Sequence, residues 1–152
     1  MIGLNIRVKN ATDNFLYKIF NGIDLSGYIW EIAEDDIMCI KNGEHTQGLF
    51  NSNIMNGEEF LSCISIDDYY MIFADIKAYP VGYNYSEIDS YEDYLISDCQ
   101  IILLCADSTF IDFYSKDMTI LEKVYENCIN YGLEEVTTFT EENDSRTRMS
   151  IL

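Results

Sequence analysis

Basic side chains are scarce in this sequence. Nine lysines and arginines stand against 27 aspartates and glutamates, which leaves a formal net charge of −18 at pH 7. Nucleic-acid binders take most of their affinity from neutralising phosphates with Lys and Arg, so this balance argues against that class. It argues equally against binding to an anionic membrane surface. Histidine occurs once, at His45, in a polar loop between Gly43 and Gly48. Nothing ties a serine or cysteine to it, and one histidine does not make a triad, so it reads as a solvated turn residue. No Gly-x-Gly-x-x-Gly or P-loop pattern is present, and nucleotide binding has no support. The five cysteines, Cys39, Cys63, Cys99, Cys105 and Cys128, are odd in number and include no Cys-x-x-Cys pair. They read as small buried hydrophobes in a reducing compartment, not as a disulfide framework or a zinc site. No stretch approaches ~18 uninterrupted apolar residues, and the N-terminus lacks a basic region followed by a long apolar one. The expected location is therefore the cytoplasm, with no membrane span.

What is present is enough for a core. The 152 residues are 48% hydrophobic and 14% aromatic. Residues 1–152 read as a single domain, which at this size buries roughly 68–70% of its unfolded surface. The chain is organised around Tyr69 to Pro80, where Met71, Ile72, Phe73 and Ala74 are apolar in succession, as in a strand covered on both faces. Pro80, the single proline, cannot donate to a ladder and ends it. Leu4, Ile6 and Val8 alternate with polar residues and predict a strand with one wet face. Thr12 or Asp13 can cap a short helix through Phe15 and Phe20. Tyr28–Ala33 and Asp36–Ile40 read as two strands around an acidic turn at Glu34-Asp35, followed by a polar loop over 41–48. Asn56-Gly57-Glu58-Glu59 leads into a short helix at Phe60. Ser90 can cap another near Tyr91 to Leu95. Cys99–Ala106 and Thr109–Ser115 predict a strand pair. Asp117 can open the strongest helical pattern of the chain, with Ile120, Leu121, Val124 and Cys128 at helical spacing and Gly132 closing it. Leu133–Thr140 supplies a last strand. The grouping predicts an α+β domain with a mixed or largely antiparallel sheet and about three helices.

The candidate chemistry is thin. Asp75 and Lys77, two apart and so on one face of the strand, resemble half of a metal-dependent nuclease or hydrolase signature. The other half would be a carboxylate brought near by folding, such as Asp98 or Asp107. Asp67 and Asp68 begin the same strand, on the order of 20 Å or more away, and cannot share an ion with Asp75 without a bend. The bland alternative is that Lys77 pairs with a nearby acid. Glu141 to Arg148 offers oxygens without EF-hand spacing, and its two arginines read as docking the tail onto the acidic body. No cofactor and no metal site are expected.

The segment from Ala78 to Ser115 is more telling, because it contains no lysine or arginine. There Tyr83, Tyr85, Tyr91 and Tyr94 are interleaved with Glu87, Asp89, Glu92 and Asp93. Tyrosine gives large contact area at low entropic cost, and carboxylates speed capture of a basic partner. These eight residues are the expected binding face for a basic protein, unless the tyrosines only cap the core and the acids only keep the surface wet. Oligomeric state is not legible.

The phrases Phe73-Ala74-Asp75-Ile76-Lys77-Ala78-Tyr79-Pro80, Tyr91-Glu92-Asp93, Ser97-Asp98-Cys99 and Glu142-Asn143-Asp144-Ser145-Arg146-Thr147-Arg148 resemble a family of small bacterial proteins, mainly from Bacillus relatives, catalogued as a domain of unknown function. The resemblance spans almost the whole chain and implies a bacterial source; it implies no activity and no catalytic residues. In size and charge alone the chain is also similar to immunity proteins, which neutralise basic toxins, an analogy at the level of class. The expectation is an acidic, non-catalytic binding module, with a small divalent-metal hydrolase built on Asp75 and Lys77 as the alternative.

Overall fold

Antiparallel pairing builds the sheet of the computed structural model, which describes residues 1–144, 146 and 148–151. Ser145 and Thr147, within the C-terminal phrase quoted above, lie outside the described residues, as does Leu152. The elements in order are β1 (Gly3–Arg7), α1 (Phe15–Phe20), β2 (Tyr28–Lys41), β3 (Glu44–Gly48), β4 (Ile54–Asn56), α2 (Gly57–Ile64), β5 (Tyr69–Pro80), α3 (Tyr91–Ile96), β6 (Ile101–Ala106), β7 (Phe110–Ser115), α4 (Met118–Asn130) and β8 (Glu135–Phe139). Among the described residues they form one eight-stranded sheet in the order β3-β2-β5-β6-β7-β1-β8, with β4 alongside the start of β2. The architecture is α+β, as the grouping of elements predicts, with four helices instead of about three.

Two expectations at β2 are corrected. The segments around Glu34-Asp35 are one fourteen-residue strand, because β5 pairs with it from Tyr28 to Cys39, across the acidic residues. The acidic residues are absorbed by two irregularities in the ladder, at Ile32/Glu34 and at Asp36/Ile37. There one strand carries an extra residue and bends. The polar loop over 41–48 is a hairpin into β3: Asn42 and Gly43 both hold positive φ, 54° and 77°, the backbone that a two-residue type I′ turn requires. Asp107 and Ser108, with φ of 53° and 68°, lie in a three-residue loop between β6 and β7, since Ala106 pairs with Phe110.

Helix α1 shows tertiary structure replacing a local cap. Neither Thr12 nor Asp13 caps it; the N-cap position is Asn14, without a side-chain bond. Instead the buried Tyr69 hydroxyl accepts from the amides of Leu16 and Tyr17, at 3.1 and 3.4 Å, and donates to the Ile64 carbonyl at 3.0 Å. At the other end, Asn127 of α4 donates its side-chain amide to the carbonyls of Ile19 and Asn21. Two buried polar side chains thus satisfy the orphan groups of a six-residue helix at both termini. Helix α2 is capped locally by a reciprocal pair, Asn56 to the Glu59 amide and Glu59 back to the Asn56 amide. Gly57 is required at its start because a Cβ there would sit 2.0 Å from the Leu25 carbonyl oxygen.

The helices α1, α2 and α4 cover one face of the sheet. Trp30 lies at the centre, stacked on Phe60 at 4.1 Å between ring centroids, with Phe20 edge-on at 5.2 Å. The indole N–H donates to the Leu25 carbonyl. Leu4, Ile6, Ile32, Ile76, Ala78, Ile101, Leu103, Ile111 and Phe113 complete this core from the strands. The opposite face has its own smaller apolar cluster, built on Tyr79, Tyr94, Cys99, Ile102, Leu104, Tyr114, Phe139 and Met149. No helix among the described residues is long and apolar enough to cross a membrane.

Candidate functional site

Cross-strand register places two rows of side chains on this second face. One runs Glu34, Asp75, Leu104, Asp112, Asn5, Thr137; the other runs Glu31, Lys77, Ile102, Tyr114, Gly3, Phe139. Asp75 and Lys77 do share a face, but they stand mid-strand instead of at its end, since β5 continues to Pro80. Both are buried, 2% and 5% exposed. Lys77 Nζ is 2.6 Å from Asp75 Oδ1. The lysine is therefore committed to the aspartate beside it. The carboxylate that folding brings opposite Lys77 is Glu31. Burial raises the Glu31 carboxyl above its ordinary range; Lys77 opposes the shift and Asp75 adds to it. Of the two acids expected near Asp75, Asp98 accepts the backbone N–H of Asn84, and Asp107 occupies the exposed turn after β6. Among the described residues no three His, Cys, Asp or Glu side chains group as metal ligands.

The cover over this face is irregular. The segment 81–90 crosses it as a loop and ends in α3, whose capping box joins Ser90 and Asp93. The Asp93 carboxylate accepts from the amides of Asp89 and Ser90, which holds it below the usual carboxylate range. Tyr94 is 1% exposed and donates to the Gln100 carbonyl at 3.0 Å. Lys116 sits 4.9 Å over its ring and donates to the Ser97 carbonyl. Tyr83 stacks on Tyr79 at 4.4 Å, and the half-buried Tyr91 leans on Tyr94 and Tyr114. Burial raises the phenols of Tyr79, Tyr94 and Tyr114 and the Cys99 thiol, the latter to about 12.

The eight residues expected to form a binding face are thus of two kinds. Tyr94 and Asp93 hold the cover together from within. Tyr83 and Tyr91 are partly exposed, and Tyr85, Glu87, Asp89 and Glu92 are exposed. Tyr85 is 64% exposed. Its phenol is raised by burial first, then by the charges of Glu31, Glu87 and Asp89. Tyr85, Glu87, Asp89 and Glu92 stand exposed within eight residues of one another on the loop and the first turn of α3.

The tail closes the far side. Arg146 Nε donates to Asp112 Oδ2 at 2.7 Å, and Asn5 donates to the other oxygen of the same carboxylate. Tyr114 donates to Asp144, Met149 is buried, and its amide bonds the Asp89 carbonyl. Arg146 does dock the tail on the acidic body. Sequence reasoning missed its partner, Asp112, because Asp112 lies between apolar strand neighbours and only the register aligns it with Asn5. It also missed Leu95 and Ile96, exposed at the end of α3; their position on the face of Glu92 was available from helical spacing alone.

These features define a small α+β protein with helices packed on one face of an antiparallel sheet and an acidic, tyrosine-bearing cover on the other. The chain belongs to the family described as "Protein of unknown function (DUF2691)", which matches residues 1–150. A Bacillus subtilis (strain 168) protein described as "Uncharacterized protein YncE" is 30% identical over 150 residues, covering 98% of each chain. Comparison with solved structures gives no significant match.

Proposed function

We propose that this protein is a non-catalytic binding module that captures a basic protein through the acidic surface around Tyr85 and α3. The observation that carries the reading is the shared exposure of Tyr85, Glu87, Asp89 and Glu92 on the cover, in a segment, 78–115, that supplies no lysine or arginine. Desolvated tyrosine supplies contact area and the carboxylates supply attraction, which act together only on a cationic partner. An inhibitor or immunity role is the form such capture takes when the partner is a basic, toxin-like domain. The burial of Asp75 and Lys77, each the other's partner, favours this reading over the hydrolase alternative.

The test is affinity capture from bacterial extract at low salt. The control bait carries Glu87→Lys, Asp89→Lys and Glu92→Lys, which leaves the capping residue Asp93 intact. The expected result is a basic protein retained by the unaltered chain, released as salt is raised and absent from the control. Equal retention by both baits, or none by either, would overturn the reading.

A further inference from the structure

Helix α3 stands between two grooves that share Ile2, Tyr91 and Leu95 as a common wall. On one side a groove of about 440 Å³ is lined further by Glu92, Glu141, Asp144 and Arg146. That arginine is engaged with Asp112 and with the carbonyls of Arg148 and Ser150. On the other side a smaller groove of about 220 Å³ carries Met1, Met118 and Leu121 beside Leu95, with Lys116 also in its lining but engaged by the Ser97 carbonyl and the Tyr94 ring. The ridge itself ends in Leu95 and in Ile96, which is 87% exposed. A helix of six residues that points two adjacent aliphatic side chains at water, with acids on one flank and the exposed Met118 beside Lys116 on the other, is an amphipathic surface.

Building on the reading above, we infer that the partner meets α3 with an amphipathic cationic segment. Its bulky aliphatic side chain seats against Leu95, Ile96 and Met118, and its lysines or arginines lie along Glu92, Glu141 and Asp144. Charge complementarity selects this occupant over a second copy of the chain, since two copies, each of net charge −18, repel one another. The aliphatic contact adds selectivity that charge alone lacks, because any polycation satisfies the carboxylates but only an amphipathic one also covers Leu95 and Ile96.

Titration with synthetic peptides separates these contributions. The probes are an 18-residue helix-forming peptide of leucine and lysine and an analogue of equal charge with serine replacing leucine, both titrated calorimetrically at 0.15 M salt. The unaltered chain should bind the leucine peptide about tenfold more tightly, the factor expected from covering roughly 50–60 Å² of apolar surface. In a Leu95→Ser, Ile96→Ser variant that difference should vanish while the weaker, salt-sensitive binding of the serine analogue remains. Equal affinity of the unaltered chain for both peptides would overturn the inference and leave the acidic binding reading standing. Binding of neither peptide even at low salt would overturn both. A dimer of the unaltered chain in sedimentation that the double variant abolishes would give the ridge to a second copy and overturn the inference as well.

Discussion

On the helix-covered face, β1, β2, β5, β6 and β7 present Leu4, Trp30, Ile76, Leu103 and Phe113 to three packed helices. On the opposite face the same strands present Asn5, Glu31, Asp75, Lys77 and Asp112, under a loop, a six-residue helix and the tail. The first face gains its free energy from area removed from water; the second spends part of its burial on polar groups that must each find a partner. Among the described residues no buried side-chain nitrogen or oxygen lacks one. The comparison teaches where stability and adaptability are divided in this fold. Regular helices secure one side, and the irregular cover on the other side is the part that can be selected for contacts.

The comparison is broken most directly at its two centres. Trp30→Ala removes the ring stacked on Phe60 and should cost about 3–5 kcal/mol in urea denaturation, felt globally because the neighbouring rings cannot collapse into the space. On the other face, Lys77→Met leaves Asp75 charged and buried without its partner, and should cost about 3 kcal/mol. Adding Asp75→Leu should recover most of that loss, since a well-packed apolar pair is often as stable as a buried ion pair. A Lys77→Met variant as stable as the parent would mean that this face tolerates unpaired charge, and the contrast between the faces would fall.

Smaller effects sharpen the contrast by their locality. Tyr114→Phe deletes the bond to Asp144 and should cost about 1 kcal/mol. It should accelerate amide exchange at Met149 while Ile76 in β5 keeps its protection. Ser90→Ala removes one half of the α3 capping box and should also cost about 1 kcal/mol. Its effect should be confined to exchange in 91–97. Equal acceleration across β5 in either variant would show that the cover and the sheet open as one unit.

How much of this was legible in the sequence follows the same division. The capped helices α2, α3 and α4 begin where Asn56, Ser90 and Asp117 announce them, because a cap is a local bond between residues two or three apart. Helix α1 does not, because its caps are Tyr69 and Asn127, contributed from distant parts of the chain. The continuity of β2 through Glu34, Asp35 and Asp36 was hidden for a like reason: polarity reads as a turn unless the pairing of β5 alongside is known. The hairpin at Asn42-Gly43 carried a readable signal in the Asn-Gly pair itself. In the candidate site, Asp75 and Lys77 were assigned correctly to one face, but their burial depends on what crosses above them. The tyrosines divided into core and surface by tertiary contact, which composition does not encode: Tyr94 and Tyr85 sit in the same acidic stretch, and only one of them faces water.

The smallest expected effect tests whether the polar face is costly in its own right. Glu31 has its carboxyl raised above 4.5, by burial first, with Lys77 pulling the other way. Below pH 4.5 the group is protonated in both the folded and unfolded chains and contributes no difference. As pH rises above 4.5 the unfolded chain ionises first, so folding is progressively disfavoured until pH passes the folded value, after which the deficit is constant. A Glu31→Gln variant escapes this. Its melting temperature relative to the parent should climb by about 1–2 °C between pH 4 and the upper plateau, a change held small by the half-exposure of the group. The measurement is a paired melting series at fixed ionic strength. A relative melting temperature that instead falls with pH would mean that attraction to Lys77 outweighs desolvation. Glu31 would then belong with Asp75 and Lys77 as a stabilising triad, and the second face would be held together by its charges instead of burdened by them.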